Sequence, residues 1–190
     1  MVVLSFDRKT SQHGVSMIEV LVTIVIMVFG LLGMAGLQAR MQVSEMEAYQ
    51  RAQALVLLND MANRIAINRN AASSYAMSAT DPVTSCTTQY PGSTLVALDK
   101  QEWCSALQGA AAKTAGVNQG AVINGRGCVE SLGNNEYMVT IAWQGLIPLS
   151  APPASVACGL DLYNGSAGTN CVSNLCRRVV TTVIRIANLT

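Results

Sequence analysis

Charge is scarce in this sequence. Asp, Glu, Lys and Arg make up 12% of its 190 residues, against about a quarter in an ordinary soluble domain. With 51% apolar residues beside it, that scarcity excludes a disordered chain, which needs the reverse balance. Charge of one sign is lacking too. Twelve basic and eleven acidic side chains leave a net +1, so no bulk field attracts nucleic acid. Histidine is almost missing, with His13 alone. The six cysteines follow one another at intervals of 18, 24, 30, 13 and 5 residues, with no C-x2-C pair of the kind that builds a zinc site. Phosphate-binding loops are absent as well. Gly125-Arg126-Gly127 lacks the third glycine and the following helix of a dinucleotide fingerprint. No catalytic residue, metal ligand or cofactor is expected.

The length suits roughly one domain, and the apolar excess sits in one place. Residues 20–37 (VLVTIVIMVFGLLGMAGL) form eighteen positions without a charge, with Thr23 the only clearly polar side chain. As a helix they span about 27 Å, close to the thickness of a bilayer core. A secretory signal peptide is one alternative, and Gly33-Met34-Ala35 offers a small-x-small site. Signal cores are shorter, however, and this one is preceded by Glu19. A buried core helix has no need of eighteen uncharged residues in line. A retained membrane helix is the expectation.

The flanks set its orientation. Arg8 and Lys9, with Asp7, precede the helix, and Arg40 is the first cation after it, which favours a cytoplasmic N-terminus. All six cysteines (Cys86, Cys104, Cys128, Cys158, Cys171, Cys176) lie beyond the helix. An even number confined to one side points to disulfides in an oxidising compartment. The C-terminal body is therefore expected outside the cytoplasm. Six cysteines allow fifteen pairings; Cys86 with Cys104 is one expectation, because they bracket a loop leading into a short helix.

Glu19 is costly where it stands, since a carboxylate at mid-bilayer costs about 2.5–3.5 kcal/mol on insertion scales. A position at the membrane edge lowers that cost, so an interfacial glutamate without function is one reading. Its context gives another. Gly14-Val15-Ser16-Met17-Ile18-Glu19, a short polar leader ending in glycine and then a long apolar helix, resembles the prepilin signal of the type IV pilin family. The resemblance implies cleavage between Gly14 and Val15 by a membrane prepilin peptidase, followed by N-methylation of Val15. The family usually has phenylalanine there, so Val15 is a departure. Cleavage would remove residues 1–14, the only histidine, two of the twelve cations and one of the eleven acids, leaving ten against ten.

The resemblance also gives Glu19 a role. A filament of packed apolar helices has no water for a carboxylate, so the charge needs a partner. The freed amine of Val15 on a neighbouring subunit supplies one and sets axial register, making Glu19 a subunit-docking residue.

Helical spacing continues past the bilayer. Ala48, Ala52, Leu55, Leu58, Ala62 and Ile65 recur along one face, with Glu45, Glu47, Arg51, Asp60, Arg64 and Arg69 interleaved. One helix over residues 15–68 is predicted, its distal half amphipathic. Gly30, Gly33 and Gly36 weaken it, each by about 1 kcal/mol relative to alanine. They suit either close helix packing in the membrane or a segment that melts and extends in a filament.

Beyond residue 70 the composition turns to Ser, Thr, Ala, Pro and Gly, a loop region to about residue 98. Asp99-Lys100-Gln101-Glu102 has the form of a capping box opening a helix to Lys113, with Trp103, Leu107, Ala110 and Ala111 on one face. Strands over residues 127–132 and 136–144 flank a Gly133-Asn134-Asn135 turn. Tyr137, Val139, Ile141 and Trp143 alternate with polar or small residues. A last strand covers residues 177–188. Its Arg177, Arg178 and Arg185 read as edge protection or solvent-exposed charge, or as a partner- or DNA-contacting surface; no aromatic-interleaved basic stripe supports DNA.

The fold class is α+β and pilin-like, a long N-terminal helix (transmembrane half plus amphipathic half) on a small antiparallel sheet. The expected organisation is a cleaved leader (1–14), a transmembrane and filament-core helix (15–38), its amphipathic continuation (39–70) and a disulfide-bonded periplasmic head (71–190). Ser16-Met-Ile-Glu-Val-Leu-Val22, the glycine-bearing run 30–38 and Ala48-Tyr-Gln-Arg-Ala-Gln53 look like the minor pilins called type IV pilus modification protein PilV. Trp103-Cys104, residues 139–143 and the strand after Cys176 are sparser matches. That resemblance implies a non-enzymatic, inner-membrane minor pilin that primes pilus assembly and stays at the tip. Its implied partners are the prepilin peptidase, other minor pilins, the major pilin, the assembly platform and the lipid bilayer, with no nucleic acid. A minor pseudopilin of type II secretion and a membrane-anchored periplasmic enzyme are the alternatives.

Overall fold

The computed structural model describes residues 16–77, 86–109, 112–114, 117–119, 122–166 and 168–187. It divides into two compact units, one up to Gln42 and one from Val43. The first unit consists, in its described part, of the opening turns of helix α1 (Met17–Ile67). Its side chains are all exposed, and it is long and apolar enough to cross a bilayer. The Ser16 carbonyl accepts the Glu19 amide at 2.9 Å, and the Thr23 hydroxyl donates to Val20 O at 2.8 Å. The one hydroxyl in the apolar run therefore bonds within the helix, as an apolar environment demands.

In the second unit the remaining turns of α1 pack on a sheet. The buried stripe is Gln50, Ala54, Leu57, Leu58, Met61, Ala62 and Ile65. This corrects the expected face in its first half: Leu58, Ala62 and Ile65 are buried, whereas Ala48, Ala52 and Leu55 are exposed. A polar Gln50 interrupts the true stripe, so the apolar pattern alone pointed to the neighbouring one.

After α1 come a 3-10 helix (Arg69–Tyr75), α2 (Cys86–Gln89) and α3 (Leu95–Leu107). Thr94 caps α3, its hydroxyl accepting the Ala97 amide at 3.2 Å. The expected capping box at Asp99 is thus overturned: the helix starts a turn earlier, and Asp99 lies inside it with its carboxylate turned to other partners. Gly109, with φ +79°, follows the end of α3. Lys113, expected in that helix, lies instead in β1 (Ala112–Thr114), which pairs with β2 (Val117–Gln119). Ala110 and Ala111 lie outside the described residues.

The main sheet has the order β3 (Arg126–Gly133), β4 (Glu136–Gln144), β5 (Arg177–Arg185), all antiparallel. Asn134 and Asn135, at φ +51° and +58°, make the two-residue turn between β3 and β4 that the strands' twist prefers. Val129, Tyr137, Val139, Ile141 and Trp143 join the α1 stripe, Trp103 and Leu107 in one core. The opposite face of the sheet is covered too, as Cys128, Ala142, Cys158 and Tyr163 form a second cluster. β4 is therefore buried on both faces from Val139 to Trp143, more than the half-buried strand its alternation predicts.

Candidate functional site

The candidate site begins at the start of α1. Gly14 and Val15, the expected cleavage and methylation positions, lie outside the described residues, as does His13. Glu19 is exposed in the first turn of α1, where a carboxylate complements the helix dipole. No side chain among the described residues pairs with it, leaving it available to a group from another chain. Gly30, Gly33 and Gly36 lie within unbroken helix, and a Cβ on any of them would meet nothing within 4 Å.

The second unit is cross-linked by pairs Cys86–Cys104, Cys128–Cys158 and Cys171–Cys176. Cys86–Cys104 ties α2 to α3. Cys128–Cys158 ties β3 to the long loop over the sheet's far face. Cys171–Cys176 closes a short loop just before β5. No thiolate is left free, and the described residues contain no metal-suited cluster of His, Cys, Asp or Glu.

Ion pairs fasten α1 to this unit at two places. Arg64 donates to Asp60 at 3.1 Å, to Asp99 at 2.8 Å and to Glu102 at 2.8 Å. Burial works against the Arg64 charge, but the bonds to these carboxylates outweigh it and hold the pKa above its ordinary value. The Tyr75 hydroxyl donates to Asp99 and accepts from Asn68 Nδ2 at 3.1 Å. Two turns of helix and the 3-10 segment thus share one polar cluster.

At the other end Glu47 accepts the Leu146 amide at 2.7 Å and Arg178 Nε at 3.3 Å. Arg178 also donates to the carbonyls of Ile147 and Leu175, at 2.6 and 3.0 Å. A pocket of about 430 Å³ adjoins the pair, walled by Arg51, Trp143, Leu149 and Val179.

Of the remaining arginines of β5, Arg177 departs from the reading as solvent-exposed charge, whereas Arg185 keeps to it. Arg177 is buried and donates to the carbonyls of Val156 at 2.6 Å and Cys158 at 3.0 Å. Burial pushes its pKa down, opposed by Asp161 and Tyr163. Arg185 is exposed and pairs with Glu136 at 2.8 Å. Sequence reasoning missed Glu47 as the anchor of Arg178, and no local signal connects residues 131 positions apart.

Two family models match the chain. That for the prokaryotic N-terminal methylation motif covers residues 9–35, and that for type IV pilin Tt1218-like proteins covers residues 36–115. No curated protein and no solved structure gives a significant match. The motif implies processing by prepilin peptidase and assembly with other pilins, and with the apolar helix it fits an inner-membrane anchor. Pilins are structural rather than enzymatic proteins. The two adjoining matches, and the long helix on a small antiparallel sheet, support a type IV pilin-like family for this chain.

Proposed function

We propose that this chain is a minor pilin: a low-abundance subunit that joins other minor pilins in a complex priming pilus assembly and stays at the pilus tip. Residues 1–14 are the leader, removed by prepilin peptidase between Gly14 and Val15, and Val15 is then N-methylated. Residues 15–38 hold the subunit in the inner membrane and later in the filament core. Residues 39–70 continue the helix, and residues 71–190 form the periplasmic head, closed by its disulfides. Major pilin and the inner-membrane assembly platform are its other partners.

The observation that carries this reading is the combination of Gly14, a carboxylate five residues on and an uninterrupted apolar helix, within the matched methylation motif. Glu19 is exposed in the isolated chain and costly in a dry filament core, which supports docking to the Val15 amine of a neighbour. The resemblance of residues 14–70 to the PilV group supports the minor-pilin assignment.

Mass spectrometry of the native protein tests it. A methylated N-terminus at Val15 is expected; an N-terminus at Met1, or after Ala35, overturns the reading. Glu19→Ala should insert and be cleaved normally yet fail to enter pili, and normal incorporation would count against the docking role. Deleting the gene should reduce piliation and leave enzyme secretion intact, whereas the opposite result would mark a secretion pseudopilin.

A further inference from the structure

Strand β5 is an outer strand of the main sheet, and no described strand pairs with its far side. The phase of its hydrogen bonds is set by two bonds that extend the β4–β5 ladder. Gly145 N donates to Cys176 O at 2.7 Å at one end, and Ile186 N donates to Asn135 O at 2.9 Å at the other. Both pairs continue the β4–β5 register, in which Glu136 faces Arg185 and Gln144 faces Arg177. In an antiparallel ladder, alternate residues turn both backbone groups to the partner. Residues 178, 180, 182 and 184 therefore bond to β4, and Val179, Thr181 and Val183 turn their N–H and C=O groups outward. No described residue bonds to those outward groups. On the opposite edge Val129 O is already taken by the Met77 amide at 2.9 Å.

Protein edges are normally guarded by proline, a bulge, a short strand or charges along the edge. β5 has none of these at its centre. Its register with β4 runs unbroken over nine residues, and the six central residues, Val179-Val-Thr-Thr-Val-Ile184, are uncharged and rich in β-branched side chains that favour strand pairing. Val183 is 55% exposed. The cations are confined to the ends.

That charge pattern selects the occupant. If a second copy paired antiparallel about Thr181, Arg177 of each chain would face Arg185 of the other, placing like charges opposite one another at both ends. Moreover, the Arg185 side chain is 73% exposed with one carboxylate partner, Glu136, so it retains donors for another. We infer that β5 is a docking edge that accepts an extended strand from a different pilin-type subunit, with an acidic residue opposite Arg185. Backbone bonds to Val179, Thr181 and Val183 supply affinity, and the arginine supplies selectivity. The inference rests on the reading of the chain as a subunit that assembles with other pilins.

The experiment uses the full chain in piliated cells. Val183→Pro removes an outward amide and leaves the ladder to β4 intact, as edge positions allow. It should retain the wild-type unfolding midpoint while its recovery in pili falls about five- to tenfold, the equivalent of one lost backbone bond. Thr182→Pro removes an inward amide and should unfold the head instead. With a benzophenone amino acid in place of Val183, photocrosslinking should give an adduct whose partner peptide comes from another pilin-type chain. Arg185→Glu should reduce that adduct by a similar factor. Unchanged recovery of Val183→Pro, no adduct, or an adduct to a second copy or to a non-pilin protein would each overturn the inference. Absence of the wild-type chain from pili would instead overturn the function proposed above, and the docking edge with it.

Discussion

The indole of Trp103 covers the backbone of Gly127 so closely that a methyl group on that glycine would sit 2.1 Å from the ring. The ring cannot step aside, because its Nε1 donates to Leu57 O on α1 at 2.8 Å and the side chain is almost wholly buried. One tryptophan thus joins α1, α3 and β3. Gly127→Ala is expected to destabilise the head by about 2–3 kcal/mol, in the upper range of overpacking a filled core. Trp103→Phe removes the bond to Leu57 and leaves a void, at a cost of about 1–3 kcal/mol. Denaturant unfolding of the full chain in detergent, followed by circular dichroism, measures both.

Part of this architecture is legible in the sequence and part is not, for definable reasons. The long helix, the Gly133-Asn134-Asn135 turn and the inward alternation of Tyr137, Val139, Ile141 and Trp143 follow from local chemistry and periodicity. The start of α3 does not. Thr94 and Asp99 both have cap chemistry, and the choice depends on Asp99 meeting Arg64, 35 residues away. The stripe on α1 is equally ambiguous until the sheet selects the face carrying Gln50. In the candidate site, the roles proposed for Gly14, Val15 and Glu19 rest on a pattern that is local in the sequence. The bond between Glu47 and Arg178 joins distant parts of the chain, and no short pattern encodes it.

That bond makes the second expectation. Glu47 is the acceptor for the Leu146 amide and the counter-ion of Arg178. Gly145 allows the approach, since a Cβ there would lie 2.6 Å from the guanidinium carbon. Glu47→Ala removes the acceptor of the Leu146 amide and the counter-ion of Arg178, which itself holds the loop at Ile147 O. The Leu146 amide should then exchange at least about tenfold faster in hydrogen–deuterium experiments, because local opening needs less free energy. The Trp103 region should exchange as before. Uniformly faster exchange would mean global destabilisation rather than a released loop.

Alkaline pH probes two buried phenols, Tyr75 and Tyr163. Burial raises the pKa of Tyr75 above the ordinary 10.0, and its bond to Asp99 adds to the effect. Burial likewise raises Tyr163, against the opposing pull of Arg126 and Arg177. Above about pH 10 the unfolded chain releases these protons while the folded chain keeps them, so stability falls as pH rises. The contribution is complete below the unfolded value and is lost as pH passes through the raised, folded one. Unfolding free energy measured across this range should decline, and Tyr75→Phe and Tyr163→Phe should each make the decline shallower. Phenolate absorbance should show both groups ionising late.

The disulfides should contribute unequally. Cys128–Cys158, Cys86–Cys104 and Cys171–Cys176 join residues 30, 18 and 5 positions apart. The chain-entropy argument assigns them about 4, 3 and 2 kcal/mol, since a longer loop restricts the unfolded chain more. Cys128 and Cys158 also belong to the cluster that covers the far face of the sheet, so Cys128→Ala/Cys158→Ala should lose packing as well. Unfolding of the three paired Cys→Ala variants should give that order. If the Cys171/Cys176 variant proved the most damaged, loop entropy would not be the governing term. The turn that leads Cys176 into β5 would then hold the greater share, through Arg177 and its carbonyl partners Val156 and Cys158.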